Sequence, residues 1–426
     1  MIQHVNSDVL RENFDLRGAS MINTREGLID ALTEASELEH GLMLQYLFAA
    51  LSLKKRSDEG ITPSQQEQIR SWEGAILGVA RDEMGHLGTV CNLLSSIGAS
   101  PRLGRPNFPQ PAHTYYPFDF ELARFSDEAL YRFIRAELPK GEPLPDPPRQ
   151  DATRSEALAF TLAPPVPDPL EYDYVGELYR QIEEAFFKLP ENELFIGPKS
   201  DQDTDDWSRG MKLHKVVDRA TAKKAIDSIV LEGEGAPANR TNSHYNTFLT
   251  IRKALQSEGN IEPARPVARN PRTRPHRDSP YPVTPVKNKD AVALMELLNA
   301  IYATVLLMLM QFYSFGGESP DERSILQSSI RQTMSLSIRS ISEILTEIPI
   351  DDHSGLTAAP SFEIYADLRL STQQDNRWVI LLERIDNIVG DAKELAKQHS
   401  RLDFVQENLG WIATNIRSAL AAKGTR

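Results

Sequence analysis

Apolar positions along this chain recur mostly at three- and four-residue spacing, the period of a helix that buries one face. One such run covers residues 28–53 and is opened by Asn23 with Glu26 three positions on, the signature of an N-cap. A second opens at Thr62-Pro63-Ser64-Gln65, with Pro at the first helical position and Gln placed to answer the cap. It runs to about Ile97 and stops at Gly98. Further helices are predicted over 171–189, ended by Pro190, over 218–232, ended by Gly233 and Gly235, and over 243–256, capped by Thr241 or Asn242. The pattern resumes over 290–315, from Ser319-Pro320-Asp321-Glu322 to Pro349, over 373–397 and over 402–422. No strong strand alternation and no short-period repeat is present, so the prediction is an all-α protein.

Two stretches break the periodicity. Fourteen prolines lie between Pro101 and Pro169, where only 128–137 reads as a short helix. So long an irregular stretch must connect two helices across the length of a bundle. Residues 261–287 hold seven prolines and five arginines (Arg265, Arg269, Arg272, Arg274 and Arg277), a linker or a strap lying on an acidic surface. The chain therefore divides into a first bundle over 1–260, a linker over 261–289 and a smaller helical bundle over 290–426. The apolar run at 301–315 is shorter than the ~20 residues of a membrane span, and it reads as a buried core helix. Burial in the second bundle or at an interface between identical subunits would satisfy it equally.

Composition narrows the field. Forty per cent of residues are hydrophobic and 25% charged, a globular balance that excludes a wholly disordered or collagen-like chain. A net charge of −13 argues against a nucleic-acid partner. The single cysteine, Cys91, excludes an intrachain disulfide and a cysteine-based zinc site, and fits a reducing cytoplasm. The start, MIQHVNSDVLREN, is polar and holds no signal-peptide core.

The first bundle carries a set of metal-type ligands: Glu39, then Glu83 and His86, then Glu177, then Glu234, then His244. Glu83 and His86 share one helical face at i, i+3. Alone that pair is a common surface feature. Together with a Glu from each of the other helices it is the pattern of a carboxylate-bridged di-metal site in a four-helix bundle. Two adjacent cations need bridging anions, and neutral imidazoles complete each shell. Glu39 and Glu83 are symmetric about residue 61, inside the predicted turn, so antiparallel helices hold them level. Glu177 and Glu234 are likewise symmetric about the loop centred near residue 204. His244 follows Glu234 by ten positions rather than three, so the fourth helix must break and restart; Glu232 competes with Glu234 as the carboxylate. Tyr46, at i+7 from Glu39, shares its face and is the candidate catalytic tyrosine, against the commoner reading of a packed core tyrosine. His40 sits ~100° round the helix and is expected to support rather than ligate.

The segments LEH…QYL, DEMGH followed by NLLSSIGASP, VGELY, GEG and SHY resemble the ferritin-like domain of the iminophenyl-pyruvate dimer synthase family, which includes larger enzymes of violacein- and rebeccamycin-type pathways. The helix LMELLNAIYATVLLMLMQFY and the segment TAAPSFE resemble the region C-terminal to that domain in bacterial relatives. The resemblance implies a ferritin-like bundle, iron and oxidative chemistry in secondary metabolism, and it places the six ligands at the family's acidic and histidine motifs. The expectation is a non-haem di-iron oxidase or oxygenase using O2 and an electron donor or reductase on a small, possibly amino-acid-derived substrate. Two alternatives stand beside it: an oxidative dimerisation enzyme with haem, and a non-catalytic iron-binding scaffold.

Overall fold

The computed structural model describes residues 22–110, 116, 119–148, 172, 174–203, 211, 213–233, 241–259, 261–274, 283–314 and 317–424. Helix α1 (Arg25–Leu51) begins at Thr24, whose side chain accepts from the Gly27 amide; the cap lies one residue after the predicted Asn23. Helix α2 (Pro63–Ser96) has the reciprocal Thr62–Gln65 capping box that its sequence announces. The two pack along their length as an antiparallel hairpin.

Each of the two remaining columns of the bundle consists of two short helices. The third is α3 (Asp127–Ala136) followed, after a long insertion, by α4 (Val175–Lys188). The fourth is α5 (Arg219–Glu232) followed by α6 (His244–Ser257). Helix α3 pairs with α6 and α4 with α5, so the columns run antiparallel. At one end Arg252 on α6 donates to Asp127 at 2.8 Å; at the other Arg219 Nε donates to the Phe186 carbonyl at 2.9 Å.

The crossover is therefore shorter than the proline count suggested. It leaves α2 at Gly98 and reaches α3 at Ser126, with Phe125 stacked on Trp72 and its amide donating to Ser52 Oγ at 2.8 Å. On the way Phe120 lies flat against Gly41 of α1; a Cβ there would meet the ring at 2.3 Å, so only glycine fits. From Leu38 to Tyr46, α1 is buried on every side. Its polar residues at that level all have partners: Gln45, for instance, accepts from the Glu121 amide at 2.9 Å.

The arginine-rich strap is bound in place. Arg265 clamps Glu59, Arg269 pairs with Glu121 and Glu128, and Arg272 is buried against Glu363. A two-residue parallel pair, β1 (Pro271–Arg272) with β2 (Thr284–Pro285), is the extent of regular sheet among the described residues. Arg277 lies outside the described residues. Beyond the strap come α7 (Lys289–Tyr313), α8 (Pro320–Gln332), a π-helical turn at Thr333–Ile338, α9 (Arg339–Leu345), α10 (Gln374–Ala396) and α11 (Asp403–Gly424). Helix α7 is the one described helix long and apolar enough to cross a membrane, and 67% of its apolar window is buried inside the protein. It packs on α8, α9, α10 and α2, the position of a core helix. One continuous apolar core runs from Ile22 on the first bundle to Ala419 on α11.

Candidate metal centre

Five ionisable side chains converge at mid-height in the first bundle, where the third and fourth columns are interrupted. Glu39 comes from α1, Glu83 and His86 from α2, Glu137 from the C-cap of α3, and His244 is the first residue of α6. None exposes more than 3% of its surface. They form two triads that could each hold a metal ion, Glu39–Glu83–His86 and Glu83–Glu137–His244, with Glu83 common to both. His86 Nδ1 lies 3.2 Å from Glu83 Oε2 and 3.4 Å from Glu39 Oε2. His244 Nδ1 lies 2.9 Å from Glu83 Oε1 and 3.4 Å from Glu137 Oε2. The two imidazoles stack with centroids 5.4 Å apart.

Of these contacts, His86 Nδ1 to Glu83 Oε2 has hydrogen-bond geometry and the others do not. Glu39 Oε2, Glu83 Oε1, Glu137 Oε2 and His244 Nδ1 are buried and make no directed hydrogen bond. Leaving buried polar atoms unsatisfied costs about 1–3 kcal/mol each. Donors crowded this closely with lone pairs facing inward are what a bound cation resolves.

The outer oxygens of the two terminal carboxylates are held from outside. Tyr179 on α4 donates to Glu39 Oε1, and Tyr46 on α1 donates to Glu137 Oε1 at 2.5 Å. Glu232 Oε2 lies 3.8 Å from His86 Nε2, and Asp82 Oδ2 lies 3.7 Å from His244 Nε2. Both separations are longer than a hydrogen bond, so these carboxylates act on the outer nitrogens by charge alone. Gly233 closes this face, where a Cβ would come within 3.3 Å of His86 and 3.5 Å of His244.

Electrostatics follow from crowding. Burial first, and then the charge of Glu83, push the Glu39 carboxyl up to about 7. Burial and Glu137 push Glu83 up as well, but His244 and His86 outweigh them and hold it below its ordinary value. Burial opposes the charged form of both imidazoles, yet the surrounding carboxylates raise His86 and His244 well above the usual histidine range.

Of the predicted ligands, the structure brings Glu39, Glu83, His86 and His244 together. Glu177 stands in the first turn of α4, one quarter exposed and 3.6 Å from Arg180. Glu234 lies outside the described residues, and Glu232 sits on the outer side of His86. Tyr46 is fully buried against α3 and α6. His40 donates to or accepts from Tyr302 of α7 at 2.7 Å; burial, and then the nearby Arg105 guanidinium, push it well below its ordinary value and keep it neutral. Glu137 escapes the sequence reading because it lies in the proline-rich stretch between Pro101 and Pro169, at the end of the short helix read over 128–137, where no ligand spacing marks it.

The chain is 30% identical over 410 residues to dichlorochromopyrrolate synthase of Lentzea aerocolonigenes, covering 84% of this chain and 38% of that enzyme. It is 27% identical over 374 residues to 2-imino-3-(indol-3-yl)propanoate dimerase of Chromobacterium violaceum, covering 83% of this chain and 35% of that one. The chain thus spans less than two fifths of the length of the curated relatives it matches. A ferritin-like protein from Caulobacter vibrioides aligns with a TM-score of 0.49 at 18% identity over 79% of this chain and 97% of its own. A family profile described as Ferritin-like matches residues 32–253, the span that holds all five converging side chains, and the chain belongs to the ferritin-like family.

Proposed function

We propose that this chain is an iron-dependent oxidative enzyme of natural-product biosynthesis, with two irons held by Glu39, Glu83, His86, Glu137 and His244. The observation that carries the reading is the pair of buried triads sharing Glu83, in which Glu39 Oε2, Glu83 Oε1, Glu137 Oε2 and His244 Nδ1 face inward without directed hydrogen bonds. The donor set of carboxylates and imidazoles suits iron, and a shared carboxylate suits two ions side by side. The curated relatives carry the names of a synthase and of an indole imino-acid dimerase, which supports a small amino-acid-derived substrate.

When bound, the irons supply redox chemistry with O2 that carboxylates and imidazoles cannot perform. The protein's own groups do the rest. Glu83 presents one oxygen to each triad. Tyr179 and Tyr46 each occupy one oxygen of a terminal carboxylate, leaving the other aimed inward. Asp82 and Glu232 place negative charge 3.7 and 3.8 Å behind the imidazoles. The buried helices exclude bulk water. An external electron donor completes the proposal, as does the division into a metal-binding unit (1–260), a strap (261–289) and a C-terminal helical unit (290–426). The buried histidines among the described residues are engaged by carboxylates or by Tyr302, and this favours the di-iron reading over haem.

The test is anaerobic loading with Fe(II), metal analysis, and O2 uptake with a reductant and a panel of aryl imino and amino acids. About two irons per chain, lost in Glu83→Ala, together with substrate-dependent O2 uptake, is the expected result. Iron binding without O2 uptake on any substrate would leave the scaffold reading. No iron would remove the proposal.

A further inference from the structure

The five donors differ in how the chain delivers them. Glu39, Glu83 and His86 sit within α1 and α2, helices of 27 and 34 residues that pack against each other without interruption. Glu137 and His244 are terminal residues of α3 and α6, helices of 10 and 14 residues. Both donors reach the centre only when the α3–α6 pair is docked on α1. That docking is organised around Tyr46. Its ring lies 4.7 Å from Phe133 of α3 and 4.8 Å from Phe248 of α6, and those two rings lie 5.2 Å apart. Its hydroxyl holds Glu137 Oε1 at 2.5 Å, leaving Oε2 turned to His244 Nδ1 at 3.4 Å.

Resting on the metal reading above, we propose that the two metal positions are unequal. The Glu39–Glu83–His86 position is preformed on the hairpin and fills first. The Glu83–Glu137–His244 position is completed by docking of α3 and α6 on Tyr46, fills second and more weakly, and stabilises that docking in return. The physical basis is linkage. A ligand that needs a docked element stabilises the docked state, and its apparent affinity is reduced by the fraction undocked. Short helices whose ends carry the donors lose conformational entropy on docking, a cost the continuous hairpin has already met in folding. Tyr46 is thus a positioning residue for one half of the centre.

The test uses the full chain, titrated anaerobically with Co(II) and followed by absorbance and calorimetry. Hydrogen exchange of α3 and α6 is measured at zero, one and two equivalents. Two phases are expected, with slowed exchange in α3 and α6 appearing at the second. Tyr46→Phe keeps the ring packing and removes the hydroxyl. It should weaken the second phase by about 10–100-fold, the usual range for an outer hydrogen bond to a ligand, and leave the first unchanged. Glu137→Gln should abolish the second phase alone. Two equivalents binding in a single phase, equal weakening of both phases by Tyr46→Phe, or full protection of α3 and α6 at one equivalent would each overturn this inference while leaving the metal reading intact. No binding at all would overturn both.

Discussion

Replacing Gly41 by alanine should destabilise this protein, although the same change in an open stretch of helix stabilises. Gly41 is mid-helix in α1, where alanine normally gains about 1 kcal/mol over glycine. Here the added Cβ would sit 2.3 and 2.6 Å from two carbons of the Phe120 ring. Ordinary contact begins near 3.5 Å, so the ring must retreat by about 1 Å. Phe120 has little room to do so. It is 1% exposed, Tyr116 lies against it with centroids 4.6 Å apart, and its backbone pairs with Gln110 in both directions. Overpacking of this kind costs about 1–3 kcal/mol, and set against the propensity gain the net is a loss of up to about 2 kcal/mol. Gly78 on α2 provides the control, because nothing lies within 4 Å of its Cβ position. Gly78→Ala should raise stability by up to about 1 kcal/mol. Urea midpoints of the three proteins, measured metal-free, decide the matter. If both variants shift the midpoint in the same direction, the close approach of Phe120 to α1 is not the constraint argued for.

Further outcomes follow from the electrostatics and the buried contacts. The raised imidazoles of His86 and His244 must lose protons to ligate, so metal uptake should release protons and weaken as pH falls; calorimetry in two buffers of different ionisation enthalpy measures the count. Against the opposing effect of burial, Arg265 and the Lys55 and Arg56 amides hold Glu59 down to about 2, from an ordinary value of 4.5. A depressed carboxyl stabilises above its unfolded value and loses that contribution as pH falls towards the folded one. The difference in thermal midpoint between wild type and Glu59→Gln should therefore shrink between about pH 4.5 and 2. Tyr302→Phe strips buried His40 of its 2.7 Å partner and should cost about 1–3 kcal/mol by denaturant melts, with little effect in a His40→Phe background.

The features legible in the sequence were local. Thr62-Pro63-Ser64-Gln65 and Ser319-Pro320-Asp321-Glu322 announce capping boxes because every partner lies within four residues, and both form. Glu83 and His86 share a face for the same reason. Glu39 lies level with them because one short turn joins α1 to α2. Glu137 was hidden because its approach to Glu83 is set by the path of the crossover, which no spacing reveals. Counting heights from the loop near residue 204 singled out Glu177, on the assumption that the third column is one helix. The column is two helices, and the carboxylate it delivers to the triads is at the end of the first. The arginine run reads as a strap on an acidic surface, and Arg265 and Arg272 are buried on specific glutamates, Glu59 and Glu363, that no spacing singles out.

The interruption of two columns at one height has an evolutionary consequence. Helix α3 ends and helix α6 begins beside the centre, at Glu137 and His244, while the helix pairs above and below are tied by their own contacts at Arg252–Asp127 and Arg219–Phe186. Doubling the length of a flexible loop costs only about 0.6 kcal/mol. The number of residues between Glu137 and Tyr174, and between Glu232 and Ser243, can therefore change with little penalty to folding. The length of chain at these two joints can diversify while the ligands and the two ends of the bundle stay constant, so that lineages sharing this scaffold can diverge there.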